Sequence, residues 1–244
     1  KRITNYKLQI TNEESEISRR LKFIPITDEG VLDLSTLPQL ITDKTKLVAL
    51  TYISNVLGTV NPIKKIVQET HNVKTFTLAP PEGEVFAFLP GQFVMAHVLG
   101  MDWRSTASRA MSISSAPEER NYIEITMKIG GDFTRRMDRL EAGDTIGVAG
   151  PYGRFVLPET SDPLVFFAGG VGITPFRSMW RTLGERGKKA PITLLYSNRT
   201  RSDIVYNEEL EEFRLRNSWF RLVHTLTRED NFAGWEGETG RING

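Results

Sequence analysis

The alternation of apolar and polar residues changes character three times along this chain of 244 residues. Residues 1 to about 20 are polar, and Ile3-Thr4-Asn5 is echoed once at Ile10-Thr11-Asn12, too little to define a repeat. From Leu21 the pattern predicts a strand over 21–26, a turn at Asp28-Glu29-Gly30, a short capped helix over 35–41 and a second strand over 47–53. Together these make a small βαβ unit. Near Ile63 to Val67 it changes to short strands with turns between them. Strands are expected over 66–69, 74–78 and 92–97, around Met111 and Ile113, through Ile123, Ile125 and Met127, and over 145–149. Five or six strands at that spacing predict a small antiparallel β-barrel. After Gly150-Pro151-Tyr152-Gly153 strands and helices alternate through Val223, the pattern of an open parallel α/β domain. The expected divisions are 1–62, 63–158 and 159–244.

One run stands out within the third segment, Leu164 to Pro175. Leu164 to Ala168 lacks polar alternation, which predicts a central parallel strand buried on both faces. Thr174 then suits an N-cap and Pro175 a first helical position, and Phe176, Met179, Trp180 and Leu183 recur at helical spacing. Between strand and helix lie Gly169, Gly170, Val171 and Gly172. Glycines there let a backbone approach a ligand closely, and a helix N-terminus offers free N–H groups to an anion such as a dinucleotide pyrophosphate. The spacing is not a strict G-x-G-x-x-G, so a plain glycine turn joining strand to helix stays open. Pro191 to Tyr196 reads as the next parallel strand. Ser197 and Arg199 follow at its carboxyl end, where open α/β sheets bind ligands. Arg199 or Arg201 there could pair with a 2′-phosphate, which points to NADPH before NADH, or could simply be solvated.

Composition narrows the chemistry. The 31 basic and 30 acidic residues give a formal net charge of +1, no general electrostatic reason to expect nucleic acid or a membrane surface. The chain contains no cysteine, which removes disulfides, thiolate chemistry and cysteine-ligated iron–sulfur clusters. His71, His97 and His224 are scattered, a poor basis for a zinc site. No apolar run is long enough for a bilayer, and the N-terminal residues do not form a signal-peptide core, so a cytoplasmic protein is expected.

Two family resemblances cover most of the chain. Over residues 18 to 66, Leu21 to Ile26, Leu32-Asp33-Leu34, Thr45 to Thr51 and above all Ser54-Asn55-Val56-Leu57-Gly58-Thr59-Val60-Asn61-Pro62-Ile63 resemble the pyridoxal-phosphate cysteine desulfurases. That resemblance implies that Asn55 would lie close to the cofactor. The pattern ends before the family's Schiff-base lysine and sulfur-accepting cysteine. A persulfide needs a thiol, so the segment is a desulfurase-like fragment without that activity, expected to fold poorly or dock loosely.

From about residue 63 onward a series of motifs follows in order. It comprises Pro90-Gly91-Gln92-Phe93, Arg109-Ala110-Met111-Ser112, Met127-Lys128, Gly130 to Thr134, Gly143-Asp144, Gly150 to Phe155, and Gly169 to Pro175. Arg109 alone would read as an ordinary exposed arginine. The succession resembles the ferredoxin–NADP reductase family of flavoproteins. The resemblance implies that Arg109 binds the FAD pyrophosphate, that Ser112 sits by flavin N5 as the catalytic position, and that Thr126 to Lys128 line the adenosine side. It also implies that Gly131, Phe133 and Thr134 hold phosphate through backbone amides and a hydroxyl. Met111 replaces the family's usual aromatic residue. A thioether can cover a flavin ring, and the same side chain can instead fill the barrel core. The sequence approaches the family's final helix and strand without reaching its closing Cys-Gly motif, so an incomplete nucleotide domain is expected. The expected function is FAD-dependent hydride transfer from NADPH or NADH, with electrons leaving to ferredoxin or another redox subunit. The alternatives are a flavin-binding module or adaptor without turnover, and a pyridoxal-phosphate protein.

Overall fold

The computed structural model describes residues 22, 24–25, 33–45, 59–80, 83–100, 105–187 and 191–242. The chain divides into two compact units, Lys1–Leu50 and Thr51–Gly244. In the first, a single turn of 3₁₀ helix at Leu34–Thr36 runs into α1, Leu37–Leu40, with a proline in its first turn. Lys22 Nζ donates to the Leu40 carbonyl at 3.2 Å, and the Asp33 amide donates to the Pro25 carbonyl at 2.8 Å. The helix expected over 35–41 is therefore present in shortened form. The strands expected over 21–26 and 47–53 fall outside the described residues, apart from Lys22, Ile24 and Pro25, which lie in no strand.

The second unit opens with six strands, β1 (Thr59–Thr70), β2 (Val73–Leu78), β3 (Phe93–Leu99), β4 (Ser105–Ser112), β5 (Ile123–Lys128) and β6 (Thr145–Tyr152). They form one antiparallel sheet in the order β4-β3-β6-β1-β2-β5. A bridge from Ile113, just past β4, to Ile125 of β5 joins the two outer strands and curls the sheet towards closure. The alternation behind these strands buries Val94, Ala96, Ile146 and Val148 on one wall and Phe76, Leu78, Ile123 and Ile125 on another, all in one core. A seven-residue helix, α2 (Asp132–Asp138), interrupts the barrel pattern, pinned to that core by Phe133 and Met137. The apolar spacing does not announce it, because a helix of two turns offers only these two anchors.

The parallel part follows as β7 (Leu164–Gly169), α3 (Thr174–Glu185), β8 (Ile192–Asn198), α4 (Asn207–Arg216), β9 (Phe220–Leu226) and the short β10 (Glu238–Thr239). The sheet order is β10-β9-β8-β7. Trp180, Leu194, Tyr196, Leu210 and Phe220 fill a second core between sheet and helices. The strand, helix, strand, helix, strand order expected from the sequence is observed.

Two expectations need correction. The strand over 164–168 is not buried on both faces: Val165 and Phe167 are 55% and 60% exposed, and among the described residues β7 pairs only with β8. An unbroken apolar run carries no information on which faces are covered, since that depends on elements distant in sequence. Nor is Thr174 an N-cap. It is the first residue of α3, and its hydroxyl donates back to the Val171 carbonyl at 3.1 Å, because Gly170–Ile173 already coil into a 3₁₀ turn. Among the described residues no helix is long and apolar enough to cross a membrane, and no group of His, Asp and Glu could hold a metal ion.

Candidate functional site

One end of the barrel is assembled from three separated segments. Ser112 closes β4 opposite Phe93 of β3, half-buried. Gln92 ties the segments together: its carbonyl accepts from the Ile113 amide at 2.9 Å, its side-chain oxygen from the Leu89 amide at 2.8 Å, and its amide group donates to the Gly153 carbonyl at 3.2 Å. Phe93 packs on Tyr152 with ring centroids 5.8 Å apart. Gly91 has φ +100°, and a Cβ there would lie 2.4 Å from the Phe155 carbonyl oxygen and 2.5 Å from Met179 Cε on α3. That glycine is where the barrel meets the nucleotide helix. Phe155 in turn meets Phe176 of α3 edge-on at 5.7 Å.

The other expected flavin residues are distributed as follows. Arg109 and Ala110 are exposed on β4, and Arg109 makes no ion pair among the described residues. Met111 is half-buried and packs against the barrel core. Lys128 is exposed at the end of β5. The Thr126 side chain points elsewhere: it is buried, and its hydroxyl bonds Thr75, Ser114 and Tyr206. Phe133 is an anchor of the core. The Thr134 hydroxyl accepts from the Gly130 and Gly131 amides, both at 3.0 Å, and so stiffens the glycine turn at the start of α2.

At the nucleotide end, Gly169 of β7 lies beside Ser197 of β8 in the parallel register. Gly170 has φ +50°, and a Cβ added at Gly170 or Gly172 would meet nothing within 4 Å. The turn is thus open on its outer side while Ile173 is fully buried beneath it. The Tyr196 hydroxyl holds the turn from below, donating to the Gly170 carbonyl at 3.0 Å and accepting from the Val205 amide at 3.2 Å. Burial pushes this phenol well above the usual tyrosine range, so it stays a protonated donor. Pro175 lies in the first turn of α3, so the positive dipole end of that helix follows directly on the glycine turn. Arg199 is exposed and unpaired among the described residues, and its carbonyl accepts from the Arg228 amide at 2.8 Å. Arg199 and Arg228 are therefore backbone neighbours just past the carboxyl ends of β8 and β9. Arg201, the other sequence candidate, is committed: its guanidinium donates to the Asn231 and Ala233 carbonyls and sits over the Trp235 ring.

The residues present fit phosphate-bearing cofactors at both ends. The glycine turn has open space at Gly170 and Gly172, the start of α3 follows it, and Arg109 and Arg199 carry guanidinium groups without an ion pair among the described residues.

Comparison with known proteins gives this geometry a class. Residues 61–157 match the Oxidoreductase FAD-binding domain and residues 166–244 the Oxidoreductase NAD-binding domain, so the chain pairs a flavin-binding barrel with a pyridine-nucleotide-binding domain. Residues 11–79 match Aminotransferase class-V. A ferredoxin–NADP reductase B of Sorangium cellulosum is 34% identical over 173 residues, which cover 70% of this chain and 69% of that protein. The chain belongs to the ferredoxin–NADP reductase-like family of flavoproteins. A glycine betaine monooxygenase reductase subunit of Pseudomonas aeruginosa is 34% identical over 183 residues, 73% of this chain and 50% of that subunit. The chain spans about half the length of such reductase subunits. In the crystal structure of a Neisseria gonorrhoeae ferredoxin NADP+ reductase with bound FAD and NADP, the similarity covers 75% of this chain and 72% of that one, with 25% identity and a TM-score of 0.63.

Proposed function

We propose that the protein accepts hydride from NADPH onto FAD and passes the electrons singly to a protein acceptor, a ferredoxin or another redox subunit. One observation carries the reading: the Ser112 end of the barrel and the glycine turn belong to one packed assembly, joined through Gly91, Phe155, Phe176 and Met179. FAD, when bound, supplies the conversion of a two-electron hydride into single electrons. The protein's own groups do the rest. Arg109 would bind the FAD pyrophosphate, Ala110 and Met111 would lie with it along the flavin-binding strand, and Ser112 would offer its hydroxyl or amide to the flavin. The backbone of Thr126 and Lys128 would line the adenosine side, and Gly131, Phe133 and Thr134 would hold phosphate through backbone amides and a hydroxyl. Gly169, Gly170, Val171, Gly172, Thr174 and Pro175 receive the nucleotide diphosphate, with Ser197 and Arg199 at the ribose phosphate. Holding both reactants on packed elements turns a bimolecular encounter into an oriented one. In this reading residues 1–62 are an accessory segment whose last four residues already begin β1, 63–158 are the FAD domain and 159–244 the nucleotide domain, and the setting is the cytoplasm.

The uncovered outer face of β7, with Val165 and Phe167 exposed, favours a second reading, a flavin-binding adaptor without turnover. Steady-state reduction of ferricyanide, a one-electron acceptor, separates the two. FAD-loaded protein that reduces ferricyanide with NADPH supports the oxidoreductase; FAD-loaded protein that leaves ferricyanide unreduced supports the adaptor.

A further inference from the structure

Between the two cofactor ends lies a buried charge cluster that neither site uses. Its centre is Arg177 on α3, three residues past the start of the helix and only 6% exposed. Its Nε donates to both carboxylate oxygens of Glu209 on α4, at 3.1 and 2.8 Å. Its Nη1 donates across to the barrel, to the Ser114 carbonyl at 3.1 Å and to Glu124 Oε2 of β5 at 2.5 Å. The guanidinium lies 4.5 Å from the centre of the Tyr206 ring, whose hydroxyl reaches Thr126 of β5. Tyr206 is the one non-glycine residue with positive φ among the described residues, at +59°, so the chain holds an unfavourable conformation where this ring covers Arg177. One turn along α3, Arg181 pairs with Glu119, and beyond the helix Arg186 pairs with Glu118 at 2.7 Å. Three arginines from α3 and its end thus grip the connection between β4 and β5 and the strand that follows it.

The connection they grip is the one that follows Ser112. Ser114 is two residues beyond Ser112, and Arg177 is three beyond Thr174. The link from the flavin-facing serine to the nucleotide turn is therefore a few bonds of chain, one guanidinium, and a few bonds more. A buried ion pair of this kind contributes little net stability compared with apolar packing, because desolvation offsets the attraction; what it supplies is a directional geometry. The planar fork, with its partners fixed from three elements, permits one arrangement of α3 against β5.

We propose that Arg177 is a positioning residue that registers the nucleotide helix against the Ser112 hairpin and so sets the approach of nicotinamide to flavin; this rests on the assignment of the glycine turn and Ser112 made above. The test compares Arg177→Met and Arg177→Lys with wild type in the full chain loaded with FAD. Both variants keep FAD, and NADPH binding changes less than about threefold. Anaerobic flavin reduction by NADPH falls by about tenfold or more in Arg177→Met, as a displacement of about an ångström costs on the order of a hundredfold. Arg177→Lys, which keeps the charge without the fork, recovers part of that rate. Hydrogen–deuterium exchange on the cofactor-free chain is the second readout: Arg177→Met accelerates exchange over 113–124 and 174–185 and leaves β8 and β9 unchanged. Wild-type reduction rates in Arg177→Met overturn the proposal, as does exchange that rises uniformly or not at all. Failure of the wild-type chain to take up FAD defeats the functional assignment instead, and the exchange pattern then decides the clamp alone.

Discussion

Gly91 offers a direct test of how closely the barrel approaches α3. Its φ of +100° is nearly the same as the +105° of Gly143, yet the two glycines differ in surroundings. A Cβ at Gly143 meets nothing within 4 Å, whereas one at Gly91 falls 2.4 Å from the Phe155 carbonyl oxygen and 2.5 Å from Met179 Cε. Replacing either by alanine imposes the same backbone strain, about 1–3 kcal/mol. Only Gly91→Ala adds overlap. The Met179 end can swing away, but the Phe155 carbonyl is backbone and moves only with its segment, an overpacking cost of about 1–3 kcal/mol. With about 2 kcal/mol as the central difference, the melting temperature of Gly91→Ala should lie roughly 4–8 °C below that of Gly143→Ala. Thermal denaturation followed by circular dichroism measures both. Equal losses in the two variants would refute the close approach, because strain without contact predicts no gap.

Three further outcomes follow from particular residues. His224 has neither ring nitrogen hydrogen-bonded among the described residues, lies against Tyr196 and Trp235, and is 3.8 Å from Glu211. Burial lowers its pKa from 6.5, with Glu211 opposing and Arg214 assisting, so below 6.5 the unfolded chain takes up a proton that the folded chain refuses. Its contribution to stability is therefore complete above that value and lost as pH falls. The urea midpoint should drop less in His224→Phe than in wild type between about pH 7.5 and about pH 5.5, and parallel drops would contradict this. Arg199→Ala should weaken NADPH binding by about tenfold or more while leaving NADH binding unchanged, measured by titration; equal losses would remove Arg199 from the 2′-phosphate site. Deleting residues 1–50, the smaller compact unit, should leave FAD uptake by the rest unaltered, and loss of uptake would give that unit a part in the flavin site.

Much of this architecture is written in short-range pattern. Strands β2, β3, β5 and β6 follow from apolar alternation because one face of each supplies the apolar core, even where the opposite face is also covered, as at Thr75, Thr77 and Thr126, and the glycine turn follows from a strand and a helix that flank it. The uncovered face of β7 could not be read, since Leu164 to Ala168 would look the same with either face buried. The helix α2 was hidden by its length. For the proposed site the sequence suggests Arg109, Ser112 and the Gly169 to Pro175 turn as positions but not side-chain directions: Thr126 turns into a polar cluster and Arg201 turns to its own loop. Arg177 gave no local signal at all. Its partners Glu209, Glu124 and Ser114 lie 32, 53 and 63 residues away, so only the folded chain reveals the pairing.

The most direct measurement is anaerobic mixing of the FAD-loaded chain with NADPH while following flavin absorbance near about 450 nm. The band should bleach, with the two-electron equivalent of NADPH consumed per flavin. A protein that takes up FAD and keeps its colour in the presence of the nucleotide would contradict it.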